Sequence, residues 1–330
     1  MAMAVTLAHF FPPSSSSSSS RLCFLPSLRP NPLRKPAPLC CFSPASPQMD
    51  RQQGGGEGGT GERKRFVDFP YLSAPYKDMM AALVSTVESR LGSYLLPCTL
   101  PPDVQYFHNQ SNTARACLHI RSGIESSPID FILGSWLHCE LPSGALNIMS
   151  LSAYLAPSTD APNFLMEVVQ SSPTSLVLIL DLPPRKDLVL HSDYLQSFYE
   201  EPQLDRHQQL LEQIPEVQPY YSSSLFLRSV VSPTAMVVRA ATEAGRVERM
   251  EEIVRDHVSP VAKQVLAFWL DQCAFGEREV GENERADLAK RDLVIKKKYI
   301  EIDMATNLPR LFGQEVADRV LGVIQEVFES

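Results

Sequence analysis

Phosphate-cradling loops, paired cysteines and long apolar runs are all missing from this 330-residue chain. No G-x-G-x-x-G follows a strand-like segment and no G-x-x-x-x-G-K-[ST] occurs, which removes the common ways of holding a nucleotide or flavin. No H-E-x-x-H spacing and no G-x-S-x-G elbow is present either. The seven cysteines stand at 23, 40, 41, 98, 117, 139 and 273 and form no C-x-x-C, so neither zinc nor an iron–sulfur cluster finds its ligand set. Free thiols in a reducing compartment are expected. The best apolar run, Leu176 to Leu180, ends at Asp181, far short of the roughly 20 residues that span a bilayer. A soluble protein is expected.

Acids are absent before Asp50, where the chain carries the serine run Ser14–Ser20 and the bases Arg21, Arg29, Arg34 and Lys35. Serine-rich, basic and acid-free is the composition of an organelle transit peptide, here chloroplast-like, over residues 1–49. Residues 50–65, with Gly54-Gly-Gly-Glu-Gly-Gly59, read as a flexible leader, and residues 66–330 as a single domain. Without the four bases of residues 1–49 the formal charge falls from −8 by four, to −12. Such an acidic remainder suits neither nucleic acid nor an anionic membrane.

Helical spacing of Met79 or Met80, Leu83, Val87 and Leu91 predicts a first helix from about Tyr76 to Leu91. Strand-like segments follow at Ala116–Arg121, Ile129–His138, Leu146–Tyr154, Asn163–Gln170 and Ser175–Leu182. Their Gly, Pro, Ser and Thr connections are too short for crossover helices, so an antiparallel meander is expected. Ser222–Arg228 and Thr234–Ala240 would add edge strands. Helices are predicted at Ser192–Glu200, Leu204–Gln213, Glu248–Cys273, Asn283–Ile302 and Gln314–Phe328. Ser259 would cap a new helix at Pro260, and Val316, Val320, Ile324 and Val327 would form the buried stripe of the last one. The expected architecture is helices on both sides of an antiparallel sheet. The six histidines after the leader are scattered, and His119 reads as a structural histidine.

What remains for chemistry is carboxylates. Glu167 lies within Asn163–Gln170 with Leu165 and Val169 on its own face and Phe164, Met166 and Val168 on the other. Two readings stay open. An acid in an apolar interior keeps its proton and becomes a proton donor, or it is paired with an Arg from another element. Asp303 ends a helical run (Ile295, Tyr299, Ile302) before Pro309 breaks it. That position is unfavourable with the helix dipole, and a simple loop cap is the bland alternative.

The segments FPYLSAPYKDMM, LLPCTLPPDV, LHIRSG, SSPIDFILGSWLHC, QSSPTSLVLILDLPPRKDLVL, LRSVVSPTA, RDHVSPVAKQVL and RLFGQEV run in order from about Phe69 to Phe328. In that order and spacing the chain resembles the red chlorophyll catabolite reductases of plants, relatives of the ferredoxin-dependent bilin reductases. The resemblance implies a three-layer α/β/α sandwich around an antiparallel sheet. It implies reduction of the C20/C1 double bond of red chlorophyll catabolite, giving primary fluorescent chlorophyll catabolite. Electrons would come from reduced ferredoxin, with no bound cofactor and no metal. It places the family's two functional acids on Glu167 and Asp303, and substrate contacts on Tyr220, Tyr221, Ser222 and Val231 as well. Val231 stands where some relatives carry Phe, so the opposite product epimer is expected. Pheophorbide a oxygenase as a partner, a homodimer, and a chloroplast stromal location with mitochondrial copies complete what is implied. For ferredoxin the expected positive patch is Lys290-Arg291 with Lys296-Lys-Lys298, or Arg63-Lys-Arg65. A bilin carrier without reductase activity is the competing reading, and a cofactor-free hydrolase has no nucleophile–base motif behind it.

Overall fold

A computed structural model describes residues 66–142, 144–278 and 280–329. The 1–49 and 50–65 segments, and the Arg63-Lys-Arg65 patch with them, lie outside the described residues. The strands are β1 (Tyr106–His108), β2 (Ala114–Ser122), β3 (Ile129–Leu141), β4 (Gly144–Leu155), β5 (Phe164–Ser172), β6 (Ser175–Asp181), β7 (Val217–Pro219) and β8 (Met236–Ala241). They form one antiparallel sheet in the order β1-β2-β3-β4-β5-β6-β8-β7. The meander expected from the short connections is β2 to β6.

Two expectations at the sheet edge fail. Residues 222–228 do not form a strand: Leu225–Val230 is a short helix, α1, whose N-cap Ser224 accepts the Leu227 N–H at 3.2 Å. A serine accepting from the third residue on is the usual N-cap bond, and it competes successfully with strand pairing here. The edge is β7 instead, ending at Pro219, which has no N–H to leave unpaired. β8 is internal, hydrogen-bonded to both β6 and β7.

Side-chain alternation gives the sheet two apolar faces, each covered by helices. The first core joins Met149, Leu151, Phe164, Met166, Val168 and Leu178 to the helix Ala74–Leu91 and to residues 247–274. The second joins Leu118, Leu137, Ile148, Leu165, Val169 and Ile179 to the helices that follow residue 281. Those are α2 (Glu282–Tyr299), α3 (Ala305–Phe312) and α4 (Gln314–Glu329). The result is the three-layer α/β/α sandwich.

The helices depart from expectation where wider turns intervene. Ser259 does not cap a new helix, since its φ of −62° and ψ of −45° are helical. A π turn, Val254–Val258, precedes it, and the Ser259 N–H reaches back to the Val254 carbonyl. Proline lacks the N–H of a regular turn and crowds the carbonyl four residues earlier, and the i→i+5 turn gives that crowding room. Likewise Asp303 does not end a helix. It lies in a second π turn, Ile300–Met304, that joins α2 to α3 without interruption, and Pro309 is inside α3. The stop comes at Gly313, φ +85°. In α4 the buried stripe is Ala317, Val320, Val323, Ile324 and Phe328, with Val316 and Val327 half-buried beside it.

Candidate functional site

Strand β5 carries Glu167 into the second core between Ser150 of β4 and Ile179 of β6, its register partners. It is 0 % exposed, and neither carboxyl oxygen has a hydrogen-bond partner among the described residues. The reading that pairs it with an Arg therefore finds no support there. Burial drives its pKa well above the ordinary carboxylate value, and the nearby Asp303 carboxylate pushes in the same direction. Burial thus favours the protonated, neutral form of the Glu167 carboxyl.

The helical layer supplies the second acid. A π turn inserts one extra residue, which rotates everything after it by about 100° relative to the α pattern. The α spacing that starts Ile295, Tyr299 would continue at Ile302; instead Ile300, Asp303 and Met304 are buried and Ile302 is exposed. The Asn307 side-chain amide donates to the Asp303 backbone carbonyl at 3.1 Å and to its Oδ1 at 3.3 Å. Tyr299, four residues earlier on the same helical face, lies beside Asp303. Burial raises the phenol pKa of Tyr299 well above its ordinary value, and the neighbouring Asp303, Glu167 and Tyr154 add to the effect. Tyr154 is raised chiefly by burial as well. The structure thus brings Glu167, Asp303, Tyr299 and Tyr154 together inside an apolar core.

The segment after β7 borders this cluster unevenly. Tyr220 is half-buried, with its N–H on the Val237 carbonyl at 2.8 Å. Ser222 is buried and accepts the Ser224 N–H, and Val231 packs half-buried against the second core. Tyr221 is turned away, 84 % exposed. Behind Val231 the Ser232 N–H and hydroxyl both bond to Asp181, at 2.9 and 2.5 Å. Asp181 is a third buried carboxyl on the same sheet face, raised to about 6 by burial against the pull of those donors.

Tyr299, Tyr154, Ser150 and Asp181 escaped the sequence reading. Two signals were available: the i, i+4 spacing of Tyr299 and Asp303, and hydroxyls at every second residue of β4 (Ser150, Ser152, Tyr154) in the largely apolar second half of the strand.

The positive patch expected on 290–298 does not form as one surface. Consecutive helical residues point about 100° apart, and Lys296 faces inward, 7 % exposed. It bonds Asp130 at 2.6 Å beneath the rings of Phe131, Tyr154 and Phe328. Lys297 pairs with Glu329, Lys298 with Glu301, and Arg291 donates to the Pro184 carbonyl.

The likeness to known proteins extends over the same elements that build this site. The family model of red chlorophyll catabolite reductase (RCC reductase) matches residues 75–326. A chloroplastic red chlorophyll catabolite reductase of Arabidopsis thaliana is 54% identical over 270 residues, covering 81% of this chain and 84% of its own. The red chlorophyll catabolite reductase 1 of Oryza sativa subsp. japonica, also named chloroplastic, is 41% identical over 333 residues, 96% of each chain. Among solved structures, tomato phytochromobilin synthase in complex with biliverdin superposes with a TM-score of 0.56 at 17% identity, over 77% of this chain and 84% of that one. That last similarity speaks for the fold alone. With its family model spanning both acid-bearing elements, from before β1 into α4, the chain belongs to the red chlorophyll catabolite reductase family.

Proposed function

We propose that this protein is an oxidoreductase of chlorophyll breakdown that reduces the C20/C1 double bond of red chlorophyll catabolite, with Glu167 as a proton donor and Asp303 as its partner. The observation that carries the reading is a carboxyl group fully buried and without a hydrogen-bond partner among the described residues, facing a second buried acid. Reduction of a carbon–carbon double bond consumes two electrons and two protons. Electrons arrive one at a time from reduced ferredoxin, and each leaves the conjugated substrate more basic at carbon. A neutral acid in an apolar, water-poor site is suited to protonate that carbon, because its ionised form is not stabilised by solvent. Asp303, held through Asn307 and beside Tyr299, sits on the helical layer opposite.

Both acids are closed off, Glu167 at 0 % and Asp303 at 3 % exposure. A flat tetrapyrrole therefore reaches them when the helical layer parts from the sheet, and the six-residue α1 beside Tyr220 and Val231 is a short piece of that cover. The relatives named chloroplastic support a chloroplast location, and the stroma is where ferredoxin would be met.

The test is an anaerobic assay of the chain from Asp50 onward with red chlorophyll catabolite, reduced ferredoxin and pheophorbide a oxygenase. Fluorescent product from the wild type, falling by about 10²–10⁴-fold in Glu167→Gln and in Asp303→Asn, is expected for loss of a general acid. Tight bilin binding without product, unchanged in both variants, would make the protein a carrier instead.

A further inference from the structure

Ser135, Ser150 and Glu167 occupy one cross-strand row of the sheet. Ser135 is the register partner of Ser150, and Ser150 that of Glu167. Register partners share a face, so all three side chains enter the second core, with Leu118 and Ile179 at the row's two sides. Both serines are buried and their hydroxyl oxygens lie 2.6 Å apart. Hydroxyls at the centre of an apolar face are costly unless bonded, and these two satisfy each other. The carboxyl group next in the row is satisfied by nothing among the described residues. Side chains directly opposed across an antiparallel pair have Cβ atoms about 4.5–5.5 Å apart. A serine hydroxyl rotates to suit its partner, with one proton to donate and lone pairs to accept.

We infer that Ser150, backed by Ser135, is a positioning residue for Glu167 that engages when the acid ionises. While Glu167 holds its proton, the two serines bond to one another. Once the proton has left for the substrate, the Ser150 O–H turns to the new carboxylate and the Ser135 O–H donates to Ser150 Oγ. The only bond broken is the O–H of Glu167, and the two hydroxyls merely rotate. A donor offered to the charged form alone favours ionisation, opposing burial, so the acid gives up its proton more readily. The other ionisable groups on this side include Asp303 and Tyr299 from the helical layer, Tyr154 on β4 with Lys296, paired to Asp130, against its ring and Asp292 nearby, and Asp181, which is held by Ser232. None of them bonds to the Glu167 oxygens.

The inference rests on Glu167 as the proton donor, and its test reads the acid directly. In the full chain labelled with ¹³C-glutamate, the protonated Glu167 carboxyl gives an infrared band, identified by its loss in Glu167→Gln, whose disappearance is followed with pH. Ser150→Ala is expected to raise that midpoint by about one unit or more, Ser135→Ala to raise it by less, and Ser150→Thr to restore it. The acid-dependent limb of kcat should move with the midpoint while KM stays near the wild-type value. A folded Ser150→Ala whose midpoint matches the wild type overturns the inference. Should that variant not fold, an unmoved midpoint in Ser135→Ala does the same. Full turnover by Glu167→Gln would overturn the donor reading separately, leaving the midpoint comparison to decide the hydroxyl pair on its own.

Discussion

A buried carboxyl group with no hydrogen-bond partner among the described residues favours its protonated form, and the fold bears the consequence when pH rises. For Glu167 the folded pKa lies well above the ordinary 4.5, through burial first, with Asp303 adding to it. Its stabilising contribution is complete below the unfolded value and is lost as pH rises through the folded one. Glu167→Gln should therefore exceed the wild type in stability at alkaline pH, by a margin that grows with pH in urea melts; parallel curves would contradict this. Asp181 has the same sign in a lower window. Its contribution is present below the ordinary 3.8 and gone above about 6, so Asp181→Asn should flatten the wild-type decline across that interval. Val231, half-buried at the rim of the second core, governs shape rather than charge. Val231→Phe is expected to switch the product epimer, read by chiral chromatography; identical epimers from both proteins would remove that role.

At the scale of the element, the π turn Ile300–Met304 carries the helix on through Asp303, with Ile300, Asp303 and Met304 buried and Ile302 exposed. Its position could not be read from the sequence, because a one-residue shift of hydrogen-bond register leaves no residue signature. The 3.6-residue rule points to Ile302 and makes Asp303 a helix-end acid, a premise the continuous helix removes. Glu167 was legible for the opposite reason: a strand has a fixed period of two, and apolar residues flank the acid on both faces. The true helix stop is also a one-residue matter. Gly313 sits at φ +85° and ψ 163° and a Cβ there would meet nothing within 4 Å. Gly313→Ala therefore carries a backbone cost alone, about 1–3 kcal/mol, measurable as a lower urea midpoint at unchanged m-value.

For the molecule as a whole, the sheet separates two cores that have to be held in register. A buried ion pair does part of this: Arg185, just past β6, meets Asp292 of α2 at 2.7 Å while also donating to the Ala156 and Thr159 carbonyls. Removing either partner strands a buried charge. Arg185→Ala or Asp292→Ala should cost about 3–5 kcal/mol, and the double variant less than the sum. Layering and strand order from β2 to β6 were legible because short connections leave the chain no room to cross over. The misassigned residues 222–228 and the dispersed lysines of 296–298 were not, since both depend on which neighbour each side chain meets. The division into two cores also governs what light can report. Both tryptophans, Trp136 of β3 and Trp269 of the 247–274 run, belong to the first core, and the second contains none. Indole fluorescence is thus blind to the layer that covers Glu167. A loosening that admits substrate would leave that signal flat and register instead through the phenols of Tyr154 and Tyr299.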